Sequence, residues 1–451
     1  YDVYEAFGEL VVPVGQDKPF FEDLTLEAGI RYSDYTIEAA TNPGYSTTTW
    51  KVGGSWTPTP GLKIRGGFNR AVRAPNIGEL FTPVRTVLTN LLTEPCQGVA
   101  PNADPNLAAV CLAQGAPAFT VGNIPAPVSG QVNITTGGNV NLQPETADTY
   151  TVGFVFQPEF IPGFSMTVDY YNISITDAIT TATPGDLIAA CFGNITAASA
   201  TDPACTQIGR NPADGGLSGD PAVTPGLFGA LSNLGTLETD GVDFSLSYKR
   251  DIGFAELSLG LTGNWTNSTK FQATPTSTNR ECVGFYSVNC SAFSGAIQPE
   301  WTFSQRTTLS FDDVDVSLLW RYIDGVQYEP LQQQTDLAAA LASNLDAMGN
   351  LLPLTGANAQ GCPDFAGADP GGCIVDPAFR SIGSAHYFDL SARWQVMDNL
   401  QVTFLVQNLF DKSPPLVGAD VGTTTFNNGN TYSSTYDALG RRYGISAKVT
   451  F

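Results

Sequence analysis

Apolar and polar residues alternate one for one over much of this chain. In the last eleven residues Tyr443, Ile445, Ala447, Val449 and Phe451 point one way, and Arg442, Gly444, Ser446, Lys448 and Thr450 the other. A period of two puts successive side chains on opposite faces of a pleated strand. The pattern recurs upstream: Leu24, Leu26, Ala28, Ile30 and Tyr32 oppose Thr25, Glu27, Gly29 and Arg31, while Trp50, Val52, Gly54 and Trp56 oppose Lys51, Gly53 and Ser55. Further alternating stretches cover 1–12, 62–69, 150–156, 164–170, 242–248, 257–265, 301–311, 314–322, 388–396 and 400–406. These predict about 13 strands, each close to the ten or so residues that a tilted membrane strand requires. The fold class that follows is all-β and antiparallel.

The connections sort by length. Short turns fall at 57–61, 158–163, 250–253, 312–313 and 397–399, and long segments at about 71–145, 176–232, 267–298, 324–383 and 410–440. Counting strands puts every long segment at one end of the sheet and every short turn at the other. That asymmetry belongs to a transmembrane β-barrel with short inner turns and long outer loops, and a soluble sandwich has no reason to sort its loops so. Tyr32, Trp56, Trp265, Trp301, Tyr322, Trp394 and Tyr443 at strand ends fit two interfacial girdles, though an ordinary β core would also use them.

Composition changes the picture in three ways. No run of 18 apolar residues occurs, which excludes a membrane-spanning helix and leaves membrane strands open. A net charge of −22 argues against nucleic acid as a partner, because phosphate binding needs basic patches. Acidic outer loops and a generally acidic proteome both fit that charge. The single histidine, His386, reads as an ordinary polar-face residue of a strand rather than a metal ligand or base. With no G-x-S-x-G, phosphate-loop or Cys-x-x-Cys pattern, the sequence offers no catalytic constellation, no metal site and no call for a cofactor. The chain opens at Tyr1 in mid-strand, which predicts a fragment or a shortened mature chain.

Eight cysteines form four close pairs, Cys96 with Cys111, Cys191 with Cys205, Cys282 with Cys290 and Cys362 with Cys373, each inside a different long loop. Local, even pairing in Pro/Gly-rich loops predicts disulfides made in an oxidising compartment. Each would stabilise its loop by about 2–3 kcal/mol on the chain-entropy model. Zinc is the rival reading, but the spacings differ from zinc knuckles and no His stands nearby.

Several phrases match a known family. Residues 4–10 (YEAFGEL), 26–35 (LEAGIRYSDY), 50–58 (WKVGGSWTP), 64–81 (IRGGFNRAVRAPNIGELF), 141–150 (NLQPETADTY), 168–173 (VDYYNI) and 408–411 (NLFD) resemble successive barrel segments of TonB-dependent outer-membrane receptors, in the family's order. The last strand, closing on Phe451, resembles the C-terminal assembly signal that the barrel assembly machinery reads in outer-membrane barrels. The resemblance implies a barrel of about 22 strands with a plugged lumen. This chain, over 1–451, would supply 13 of those strands and the outer loops, with no plug domain or TonB box. It also implies a cell outer membrane of a Gram-negative bacterium, contact with its lipid and lipopolysaccharide, and energy from TonB-ExbB-ExbD through the absent plug.

Function then reads as TonB-coupled active uptake of a scarce small-molecule or oligosaccharide ligand, not as catalysis. A passive diffusion porin and a secreted, carbohydrate-binding soluble β-protein stay open as alternatives. Charged residues on the polar face (Arg31, Lys51, Arg65, Arg321, Arg393, Glu9, Glu27, Asp169 and Asp389) would line the lumen. Arg73 and Glu79 lie in the RAP…ELF stretch, where Pro75 holds its predecessor extended, and either brace the loop or touch ligand. Loop aromatics expected to be exposed, among them Phe81, Phe192, Phe228, Phe285, Tyr286 and Tyr328, are the other ligand candidates.

Overall fold

The computed structural model describes residues 2–38, 44–91, 93–275, 277–330, 379–417 and 431–450. One antiparallel sheet dominates. Its strands, in chain order and in spatial order, are β1 (Asp2–Lys18), β2 (Phe21–Thr36), β3 (Gly44–Thr59), β4 (Leu62–Arg73), β5 (Glu145–Phe156), β6 (Phe164–Thr180), β7 (Ser232–Asp251), β8 (Glu256–Gln272), β9 (Trp301–Ser310), β10 (Val314–Ile323), β11 (Ala385–Met397), β12 (Leu400–Gln407) and β13 (Arg442–Val449). The wall thus has the 13 strands that the alternation predicts, each paired with its chain neighbour, and a fourteenth, two-residue strand, Arg280–Glu281, pairs with β8 off this path. β1 and β13 form the two edges of this sheet among the described residues.

Every turn at one end of the meander is short, and the five long loops all leave from the other end. Strand β1 runs further than its alternation suggests, to Lys18, and adds a tight turn at 19–20. The turn after β3 needs Gly61, whose φ is 82° and where a Cβ would stand 2.4 Å from the Gln157 carbonyl oxygen.

Register confirms that the two faces differ. On the apolar face Val402 stands opposite Trp394 and Ala447, and Phe404 opposite Ala392 and Ile445. Aromatic rings on this face join neighbouring strands. Trp50, Phe68 and Tyr150 follow one another across β3, β4 and β5 at 4.9 and 4.7 Å between ring centres. Nearer the short turns Phe21 meets Trp56 at 6.2 Å, and the Trp56 indole donates to the Phe20 carbonyl at 2.7 Å. His386 belongs here too, which corrects the polar-face expectation. It shares parity with Phe388 and Leu390, stacks on Trp320 and accepts a 3.2 Å hydrogen bond from its indole.

On the polar face the charges satisfy each other. Glu5 pairs with Arg31, Glu9 with Lys51, Asp315 with Arg393, and Asp389 with Arg321. Arg65 reaches across a whole strand: from β4 its Nε and Nη2 contact both Asp169 oxygens on β6, at 2.8 and 2.6 Å. Gly153 on β5 lies beneath the pair, and a Cβ there would fall 2.1 Å from Asp169 Oδ1. Close approach of this kind is the reason for a glycine within a strand. Gly153→Ala is therefore expected to push Asp169 off Arg65 and destabilise the wall by about 1–3 kcal/mol. A heat-modifiability midpoint that does not fall in the variant would contradict this.

An apolar outer face, a self-paired polar inner face and aromatic belts are what a lipid-facing wall around a wet lumen demands.

Candidate functional site at the loop end

The loops fold into two packed units at the mouth of the sheet. Their cores rest on inward-parity residues at the loop ends of the strands: Tyr35, Tyr45, Ile323, Ala385 and Tyr387 all contribute. The loops consequently lean over the polar, inner side of the wall.

The first unit joins loops 74–144 and 181–231. Strands Arg85–Asn90 and Gln131–Gly137 pair antiparallel, and Leu227–Ala230 from the second loop adds in parallel to Gln131–Gly137. Val110, Val132, Ile134, Ile188, Leu217 and Leu227 fill the core between the two loops. Local sequence starts the helices: Asp104 caps Pro105–Ala113 through the Asn106 and Leu107 amides, and Thr183 caps Pro184–Phe192. At the centre, Arg210 donates to both Glu94 oxygens at 2.9 and 2.8 Å, to Gln114 Oε1 at 2.8 Å and to the Gly215 carbonyl at 3.0 Å. Both charged side chains are sealed from solvent, at 0% and 1% exposure.

The second unit gathers the loops after β8, β10 and β12. Phe285–Tyr286, Val326–Tyr328 and Ser381–Ile382 make a small sheet. Arg280, at 7% exposure, pairs with Glu329 and lies 4.0 Å from Asp186 of the first unit. This contact, with Asn289 packed over Gly185, ties the two units together.

Three disulfides join the expected partners: Cys96–Cys111, Cys191–Cys205 and Cys282–Cys290. The fourth expected disulfide is not among them, because Cys362 and Cys373 both lie outside the described residues. The terminal Phe451, expected to be the assembly signal, lies outside them as well.

Arg73 and Glu79 come together at the root of the first loop. Arg73 Nε donates to Glu145 Oε1 at 2.6 Å, and its Nη1 to both Glu79 oxygens at 3.0 Å. Glu79 and Asn76 form a reciprocal capping box on helix Ile77–Phe81, and Glu145 also accepts the Ile179 amide at 3.0 Å. One guanidinium thus fixes the loop exit of β4 to β5 and β6. Pro75 stands two residues past the end of β4 at Arg73.

The loop aromatics divide. Tyr286 and Tyr328 are 1% and 4% exposed, which corrects the expectation that they face solvent. They pack with Tyr387, Tyr432 and Tyr436 in the second unit's core, and the Tyr286 hydroxyl donates to the Phe379 carbonyl. Phe81, Phe192 and Phe285 are half-buried, and Phe228 is 40% exposed. Phe119, at 82%, is the more prominent surface ring, and the alternation gave no reason to single it out. The described residues hold no cluster of His, Cys, Asp and Glu arranged for a metal.

Burial pushes the Tyr436 phenol above its ordinary pKa, and among the described residues its hydroxyl has no hydrogen-bond partner. A buried, unpaired hydroxyl is a cost, so Tyr436→Phe is expected to leave the loop core unchanged or stabilise it by about 1 kcal/mol. Because the folded pKa lies above the unfolded one, the wild-type phenol's protonated state favours folding fully below pH ~10, and this contribution fades as pH rises past it. The variant should lose less loop protection in alkali, measured by hydrogen exchange at rising pH. A variant that opens earlier than wild type would contradict this.

The sequence matches the family model described as TonB dependent receptor-like, beta-barrel, over residues 2–409. Among solved structures it is similar to the siderophore receptor PirA from Acinetobacter baumannii (TM-score 0.53, 15% identity, covering 100% of this chain and 46% of that one). It is likewise similar to the ferric enterobactin receptor PfeA from Pseudomonas aeruginosa (TM-score 0.53, 13% identity, 100% and 45% covered). A third likeness is to the copper transporter OprC (TM-score 0.50, 13% identity, 100% and 48% covered). The chain spans less than half the length of these structures. No curated protein matches the sequence significantly. At such identities the structural likeness speaks for the fold, while the family match covers nine-tenths of the sequence. The chain belongs to the TonB-dependent receptor β-barrel family.

Proposed function

We propose that this chain forms the loop-bearing wall of an outer-membrane receptor that takes up a scarce solute by TonB-coupled active transport. The observation that carries the reading is the family match over residues 2–409, joined to a wall whose faces alternate as lipid and lumen require. The loops are the proposed capture surface. They lean inward over the mouth, and three disulfides and buried ion pairs hold them in one arrangement. Long, structured loops on a rigid scaffold are where binding usually resides. Phe81 and Phe285, half-buried near the loop surface, and the more exposed Phe228 remain proposed ligand contacts, with Phe119 added. Arg73 and Glu79 act by holding the first loop in place.

Cargo preference should follow the loops. Because 74–144 and 181–231 share a sheet and a core, they must be moved together. By the same rule 324–384 must move with 273–300, which shares its sheet and core, and with 408–441, which shares the core. Grafting all five onto a related receptor's barrel is expected to transfer ligand preference, and grafting the short turns is not. Uptake assays on the two chimeras decide it, and a loop chimera that keeps its host's ligand would sink the idea. The porin alternative is separated by planar-bilayer recording of the full-length receptor. Steady conductance without applied denaturant would favour the passive reading, and its absence the gated one.

A further inference from the structure

The two loop units have separate cores and stand on different strands. The first is rooted between β4 and β7, and its core gathers Val110, Val132, Ile188 and Leu227. The second spans the loops after β8, β10 and β12 and centres on Tyr286, Tyr328, Tyr432 and Tyr436. Where they meet, Asp186 and Gly185 of the first unit face Arg280 and Asn289 of the second.

Each side of this seam is held firmly by its own unit. Thr183 caps helix Pro184–Phe192, and its hydroxyl donates to Asp186 Oδ2 at 2.8 Å, which fixes that carboxylate to the first unit. Arg280 lies on the two-residue strand beside β8, opposite Phe271, and its Nη1 pairs with Glu329 Oε1. Ser287, at the start of helix Val288–Ser294, donates to the other Glu329 oxygen. Across the seam the bonding is poor. Arg280 Nη2 stands 4.0 Å from Asp186 Oδ1, well beyond the range of about 2.7–2.9 Å for a charge-assisted hydrogen bond. The buried Arg280 Nε has no acceptor among the described residues.

Two buried carboxylates thus share one guanidinium. No second cation pairs with either among the described residues, and the remaining positions of the sequence hold no Lys or Arg. A dry ion pair offsets the desolvation of its charges only when its geometry is close and its polar atoms are bonded. Arg210 and Glu94 meet that condition inside the first unit, whereas Arg280 and Asp186 across the seam do not. Water entering the seam would solvate Asp186 and the free edge of the guanidinium, while Glu329 keeps its bonds within the second unit.

We propose that the two units are rigid halves of a gate over the mouth, and that the Arg280–Asp186 contact is the latch at which they part. The inference rests on the receptor reading above and deepens it by locating the seam through which cargo enters.

The seam is measured without knowing the cargo. In the purified full-length receptor, spin labels on the exposed positions Ala213→Cys and Ser434→Cys report the distance between the units. Labels on Ala197→Cys with Ala213→Cys, and on Gln327→Cys with Ser434→Cys, report the distance within each. Pulsed dipolar spectroscopy is expected to give one main separation across the seam and a minor, wider one. Arg280→Gln leaves both carboxylates without a cation, and is expected to raise the wider component about fivefold with both within-unit distances unchanged. An unchanged distribution across the seam in Arg280→Gln overturns the proposal. If Arg280→Gln also broadens a within-unit distance, Arg280→Lys decides. Its single ammonium keeps Glu329 paired but lacks the fork that reaches toward Asp186. A rise of about twofold in the wider component, with intact units, then supports the latch, and no rise overturns it. The measurement needs neither cargo nor TonB, so a failure of coupled uptake would leave this result standing and a failure here would leave the uptake reading standing.

Discussion

Arg210→Met is expected to unfold the first loop unit while the wall stays intact. Arg210 and Glu94 are sealed in the unit's interior, and removing the guanidinium strands a carboxylate there with no cation to balance it. Breaking a buried pair on one side costs about 3–5 kcal/mol, far more than an exposed pair contributes. The effect should be local, because the pair links two loops and touches no wall strand. Hydrogen exchange over 74–144 and 181–231 should rise strongly, with the heat-modifiable shift of the barrel preserved. Glu94→Leu combined with Arg210→Met should recover most of the loss, since a matched apolar replacement leaves no buried charge. Protection that is unchanged in the single variant, or a double variant worse than the single, would contradict the structural role given to the pair.

Phe404→Arg is expected to cost about 2–4 kcal/mol, because it places a charge against lipid near the middle of the wall. Phe404 is 48% exposed on the apolar face and stands opposite Ala392 and Ile445. Its neighbour Thr403 points to the polar face, opposite Arg393 and Ser446. Thr403→Arg should cost under about 1 kcal/mol, since the lumen is wet and Arg393 is already engaged by Asp315. Urea titration of the two variants refolded into lipid compares them directly. Equal damage on both faces would mean that the sheet is not a membrane wall.

The wall was legible in the sequence because alternation is a local code. Each strand announces its faces through its own residues, so 13 strands and the sorting of their connections could be counted before any pairing was known. Three disulfides were legible for the same reason: partners 15, 14 and 8 residues apart share a loop. The same logic paired Cys362 with Cys373, but Cys362 and Cys373 fall outside the described residues and that bond stays an expectation. The brace on the first loop also lay within reach, with Arg73 six residues from Glu79, although its second partner Glu145 did not.

The loop units were not legible. Arg210 and Glu94 are 116 positions apart in different loops, and neither follows a period that could point to the other. A lone arginine in an otherwise acidic loop was the available signal. Tyr286 and Tyr328 were misplaced at the surface because loop residues carry no face pattern, and only the packing of three loops against Tyr387 buries them. His386 was misassigned by its chemistry: its parity with Phe388 put it on the apolar side, where a stacked imidazole serves beside Trp320 as another interfacial ring.

The proposed receptor would concentrate solute by coupling to TonB. The direct measurement is energised uptake of a radiolabelled solute panel, neutral sugars and chelates included, in cells with the full-length receptor, without it, and with it but without TonB. Accumulation of one solute that is lost equally on deleting the receptor or TonB is the predicted result. Accumulation or influx that needs the receptor but persists without TonB would contradict the account and place the wall in a passive pore.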